Sequence, residues 1–176
     1  MADSPDHVIA TSLRSFAARL QDSAWTGQRE HEIKSLYAFG HLVAECRPGT
    51  FLHDPAQIAL DSAVPQIPPD AQQALSHGTG RPKRAVAKDL IIWPAPGMTS
   101  WVGGASAVAP AVVMEWKLNR SGVFGYDVDW LTRFTALHPG VTGYAVTVDL
   151  RPRGPLLTCA RVVQGAADAT WGKRLF

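Results

Sequence analysis

Apolar positions recur along the chain with two periods, and these divide it into helices and strands. Val8, Ile9, Leu13, Phe16 and Leu20 follow a helical spacing, with Arg14 and Arg19 among the residues of the other face. Ser4 stands as a cap and Pro5 at the first helical position, so the pattern predicts a helix ending near Asp22. Thr26 is a second cap candidate. Ile33, Leu36, Tyr37, Gly40 and Val43 form the stripe of a helix running to about Glu45, and Pro48-Gly49 stops it. Gln57 to Val64 reads as a strand. From Pro65 to Pro82 the chain turns rich in Pro, Gly, Gln, Ser and His, the composition of a surface loop with one helical turn at Ala71 to Leu75.

Ala85 to Trp93 is the second clear strand, closed by Pro94-Ala95-Pro96-Gly97, and Gly103-Gly104-Ala105-Ser106 links it to a third at Ala111 to Leu118. Asn119 to Gly125 turns the chain into a helix around Asp127 to Phe134, whose acidic first turn suits the helix dipole. His138-Pro139-Gly140 ends that helix. Gly143 to Leu150 and Leu156 to Val163 read as two further strands. The order is helix, helix, strand, loop, strand, strand, helix, strand, strand, without an internal repeat, which predicts a single α/β sandwich domain over residues 1–176.

Composition narrows the function only a little. A 46% hydrophobic and 18% charged chain of 176 residues can bury its own core. Seventeen Lys and Arg against fifteen Asp and Glu leave a net charge of +2, which permits a nucleic-acid partner without indicating one. Cys46 and Cys159 lie far apart without paired spacing, which argues against a zinc module or a disulfide scaffold. The first residues lack a basic stretch followed by an apolar block, and no apolar run approaches the roughly 20 residues of a membrane helix. The expected location is the cytoplasm, with no membrane partner.

Chemistry concentrates on the third strand, Ala111-Val112-Val113-Met114-Glu115-Trp116-Lys117-Leu118. A strand alternates its side chains, so Glu115 and Lys117 leave one face while Met114, Trp116 and Leu118 pack on the other. Two charges in so apolar a strand need partners. Asp89 lies in the apolar run Lys88-Asp89-Leu90-Ile91-Ile92-Trp93, and pairing of that strand beside the third would bring its carboxylate to Glu115. Two close carboxylates repel, and a divalent cation holds both ionised. Magnesium suits such hard oxygen ligands, with the carbonyl of Trp116 as a third donor and Lys117 placed to orient an attacking water. Glu30, three and seven residues before Ile33 and Tyr37, falls on the buried stripe of the second helix and is the favoured helix acid, with Glu32 in reserve.

A helix bearing a glutamate, a strand, Asp89 in the next, Glu115-Trp116-Lys117 in the one after, then a helix and a strand: from about Thr26 to Leu150 this resembles the PD-(D/E)xK nuclease superfamily. Lys88 stands where the family motif has proline. The resemblance implies a restriction-endonuclease-like fold, a mixed central sheet flanked by helices. It also implies Mg²⁺-dependent hydrolysis of phosphodiester bonds in DNA, with Mn²⁺ as a substitute ion. Asp89, Glu115, Lys117 and Glu30 would be the catalytic set, and Asp89, Glu115 and Trp116 the metal ligands. Many such nucleases work as homodimers, although no dimer face is legible here.

Arg81, Lys83, Arg84 and Lys88 form a basic run into the Asp89 strand; Arg84 and Lys88 are the candidate phosphate contacts, a solvated loop flank being the plainer reading. His31-Glu32 is not a zinc-protease helix, because position 35 is Ser35 where a second histidine is required. His53, Asp54, His138, Asp127 and Asp129 read as turn or capping residues, with Asp129 facing the site as the alternative, and Trp93, Trp101, Trp116 and Trp130 read as core and loop anchors. Two alternatives to the nuclease stand beside it: a catalytically silent nucleic-acid-binding or assembly subunit on the same scaffold, and a buried Asp–Lys–Glu network that holds no metal.

Overall fold

A computed structural model describes residues 4–22, 29–65, 67, 85–100, 108–119, 125–150 and 156–175. Helix α1 spans Pro5–Asp22 and α2 spans Glu30–Tyr37, followed by strands β1 (Ile58–Pro65), β2 (Ala85–Ile92) and β3 (Val112–Leu118). Helix α3 (Gly125–Leu137) then leads into β4 (Thr142–Asp149), β5 (Leu156–Val163) and the short β6 (Ala166–Asp168). The six strands lie in one mixed sheet in chain order. Every neighbouring pair is antiparallel except β3 and β4, which run parallel because α3 carries the chain back between them.

The sheet separates two cores. On one face α1 and α2 bring Ile9, Leu13, Phe16, Ile33 and Tyr37 onto Leu90, Met114, Trp116 and Val146. On the other, Trp130, Leu131 and Phe134 of α3 cover Ile91, Val113, Ala145 and Val162. Helix α3 comes close because β4 offers Gly143, where a Cβ would lie 3.0 Å from the Leu131 side chain. Among the described residues no helix is long and apolar enough to cross a membrane.

Several local features depart from the sequence pattern. The second helix passes from α2 through a π turn, Ala38–Leu42, and a 3₁₀ turn, Val43–Glu45. The wider π turn changes the period within the helix, and Ala38 and Leu42 are buried in place of the predicted Gly40 and Val43. Strand β6 was not expected; Gln164 and Gly165, both at positive φ, make the two-residue turn that folds it back on β5. The expected cap at Thr26, the turn at Ala71 to Leu75 and the basic residues Arg81, Lys83 and Arg84 lie outside the described residues.

One irregularity positions everything that follows. The β1–β2 ladder runs from Ile58–Ile92 to Pro65–Ala85 but skips the facing residues Asp61 and Asp89, and Asp61 has φ +49°. Above the break Ile58, Leu60, Leu90 and Ile92 face α1 and α2. Below it Val64 and Val86 face α3. Both strands exchange faces at this pair of aspartates. There β2 also leaves β3, to which it pairs only through Leu90, Ile91 and Ile92.

Candidate active site

Where β2 and β3 part, the backbone N–H of Trp116 has no strand carbonyl from β2 in register. Asp89 fills the fork: its Oδ2 accepts from Trp116 N at 2.8 Å, and its Oδ1 accepts from Lys34 Nζ at 3.0 Å. Lys34, buried on α2, also bonds Asp61, so one ammonium joins the two aspartates of the broken ladder. Burial opposes the ionisation of Asp89, but the Trp116 N–H and Lys34 outweigh it and hold its carboxyl below the usual range.

Glu115, one residue before Trp116, turns to the α3 face. The charge of the Asp89 carboxyl acts on it there and opposes its ionisation. Lys88 pairs with Glu115 and lays its ammonium 3.5 Å from the centroid of the Trp130 ring. Burial drives the Glu115 carboxyl up to about 7 against the pull of Lys88, with the charge of Asp89 adding to the rise.

Lys117, two residues on, emerges on the same face as Glu115. Its Nζ donates to the Trp116 carbonyl at 2.9 Å. Three carboxylates surround that ammonium from three elements: Glu30 of α2 at 3.5 Å, Asp127 of α3 at 3.6 Å and Asp89 of β2 at 4.0 Å. Burial would lower the Lys117 pKa, but Asp127 and then Glu30 and Asp89 hold it above its ordinary value. Side-chain exposure rises outward through the group, from 8% at Glu115 to 14% at Asp89, 27% at Lys117 and 39% at Glu30. The cluster is thus most buried at Glu115 and most accessible at Glu30.

Asp89, Glu115, Lys117 and Glu30, singled out in the sequence, therefore meet around one point. Glu32 does not join them, since its carboxylate accepts from the N–H of Arg29 and closes the start of α2. Lys88 departs from the expectation of a surface phosphate contact: its ammonium is buried and engaged with Glu115 and Trp130. Arg84 lies outside the described residues. The Trp116 carbonyl is next to the acid pair, but Lys117 already donates to it.

Three participants escaped the sequence reading. Lys34 precedes Tyr37 by three residues, so it flanks the buried stripe of α2 and could have been placed by spacing. Asp61 is an acid inside an otherwise apolar strand. Asp127, read as a dipole-suited cap, stands three, four and seven residues before Trp130, Leu131 and Phe134; that is the buried face of α3, and there it is found.

The donor set suits a hard divalent cation in type: two carboxyls from neighbouring strands, one of them retaining a proton near neutrality under the influence of burial and of the other. Among the described residues no three acids, histidines or cysteines are already grouped as a metal cage. Comparison with family models, curated proteins and solved structures finds no match for this chain.

Proposed function

We propose that this chain is a metal-dependent phosphodiester hydrolase of the PD-(D/E)xK kind, acting on nucleic acid, most simply DNA, with Mg²⁺ at Asp89 and Glu115. The observation that carries this reading is Lys117 set among carboxylates of three elements, Asp89, Glu30 and Asp127, with the charge of Asp89 also acting on Glu115 of the neighbouring strand. The restriction-endonuclease-like fold belongs to the same proposal; a mixed sheet with helices on both faces and a fork between β2 and β3 supports it.

Asp89 and Glu115 are the residues that would hold Mg²⁺, which would supply Lewis-acid activation of the phosphodiester. Lys117 supplies positive charge beside the acid pair, where negative charge gathers on the phosphoryl oxygens. Glu30, the most exposed of the group, can accept a proton from water there. The Trp116 N–H, by binding Asp89, fixes the direction of that carboxylate. Lys34 and Lys88 balance the buried acids from behind.

Cleavage of single- and double-stranded DNA with Mg²⁺ and with a chelator tests this. The native chain should cut only with the ion, and Lys117→Ala or Glu115→Gln should abolish cutting while the far-ultraviolet circular dichroism stays native. Undiminished cutting by Lys117→Ala would reject the mechanism. The second reading, a nucleic-acid-binding or assembly subunit without catalysis, is favoured by one observation: Lys34 and Lys88 already occupy Asp89 and Glu115. DNA binding with no metal-dependent cutting would select it.

A further inference from the structure

Asp127 is the charged residue whose burial the scheme above leaves unexplained. It lies in the first turn of α3, and its side chain is 8% exposed. An exposed acid there would serve the helix dipole without cost. This one is turned inward under the sheet, and among the described residues its Oδ2 has no hydrogen-bond partner. Burying such an oxygen is costly unless it faces compensating charge. The charge it faces is Lys117, with Nζ 3.6 Å from that same Oδ2.

Lys117 needs such a neighbour. It follows the last of the strongly buried β3 residues, near the end of the strand and beyond the positions paired with β2. A lysine carries four rotatable bonds and pays heavily in entropy to hold one direction. The Trp116 carbonyl restrains the ammonium from its own strand, Glu30 from the α2 side, Asp127 from the α3 side and, at the longer distance of 4.0 Å, Asp89 from β2. The Glu30 side chain is 39% exposed, whereas that of Asp127, on the buried face of α3, is 8% exposed.

We propose that Asp127 is a positioning residue that anchors the ammonium of Lys117 beside the Asp89–Glu115 pair. Its importance for catalysis rests on the hydrolase reading; its grip on Lys117 does not. Asp127 touches neither Asp89 nor Glu115 through any contact found among the described residues, so its effect passes through Lys117 alone.

The test is a double-mutant cycle in urea unfolding, using Asp127→Asn, Lys117→Met and the pair, alongside cleavage kinetics and Mg²⁺ titration of the folded protein. Asp127→Asn should lower the unfolding midpoint in the native background. With Lys117→Met already present the sign should reverse, because the carboxylate is then buried without a cation and its removal relieves the protein. In kinetics, Asp127→Asn should reduce kcat by on the order of 10²-fold with KM little changed, the penalty of a displaced catalytic group. Asp127→Glu should recover part of the loss, and the Mg²⁺ titration should be unchanged. Equal effects of Asp127→Asn in both backgrounds would overturn the proposal, as would a loss of Mg²⁺ binding, which would make Asp127 a metal ligand. A cycle that reverses sign in a protein that cuts nothing would keep the anchor and reject the hydrolase.

Discussion

Glu115 offers the sharpest handle on the site, because its proton can be followed without any substrate. In the fold its carboxyl is carried from 4.5 to about 7, first by burial and then by Asp89, despite Lys88. The folded chain therefore holds that proton more tightly than the unfolded chain. Stability from this group is fully present below about pH 4.5 and is lost as pH rises through about 7. At ~1.4 kcal/mol for each pH unit, the rise from 4.5 to about 7 comes to about 3 kcal/mol. Asp89 has the opposite sign: its pKa is depressed from 3.8, so its stabilisation is present above that value and lost as acid is added. The two contributions leave a maximum near the pH at which Asp89 is ionised and Glu115 is not.

Urea unfolding in chelator, from about pH 4.5 to about pH 8, measures this, with Glu115→Gln as the reference. Glutamine keeps the shape and cannot titrate. The six histidines and the exposed acids are common to both proteins and drop out of the difference. Across that range the native chain should lose about 3 kcal/mol more stability than the variant. Parallel curves, or a native chain that gains on the variant with rising pH, would refute the assignment of a raised pKa to Glu115. A cation on the acid pair must also expel this proton. Added Mg²⁺ should thus raise the unfolding midpoint more at pH 8 than at pH 6 in the native chain, and barely at all in Glu115→Gln.

Two further substitutions probe the frame. Lys88→Met removes the buried ammonium that answers Glu115 and should cost about 3–5 kcal/mol in urea unfolding above neutral pH; the cost should shrink at pH 5, where Glu115 keeps its proton. Gly143→Val puts a branched side chain where a Cβ alone would be 3.0 Å from Leu131, and should cost about 1–3 kcal/mol while leaving the Mg²⁺ response intact.

The parts of the fold that repeat were legible, and the parts that break a repeat were not. Val8 to Leu20 kept strict helical spacing, and α1 runs Pro5–Asp22 as the cap and proline predict. Leu156–Val163 is a strand with the predicted bounds. Gly40 was assigned to the core because a uniform 3.6-residue period puts it there; the π turn at Ala38–Leu42 changes the period within the helix. The face exchange at Asp61 and Asp89 leaves no trace in the alternation of either strand alone. It exists because two strands deform together and Lys34 from a third element neutralises both. Reading each strand separately could find Asp89, Glu115 and Lys117. It could not find Lys34, whose partners lie 27 and 55 residues away.

That web of lysines bears on the choice between a metal centre and a network that needs none. Among the described residues five carboxyls gather at the fork, Glu30, Asp61, Asp89, Glu115 and Asp127, and three ammonium groups answer them, Lys34, Lys88 and Lys117. Asp61 and Glu30 are the exposed members, with side chains 65% and 39% accessible, and water screens their charge. The three least exposed carboxyls, Asp89, Glu115 and Asp127, are matched in number by the three ammonium groups. Burial still leaves Glu115 with its proton near neutral pH, and the charge of Asp89 adds to that. A divalent cation at Asp89 and Glu115 would displace this proton, whereas a self-sufficient network would keep it. Following the Glu115 proton with and without Mg²⁺ therefore separates the two alternatives: its release on adding the ion selects the metal centre, and its retention selects the network.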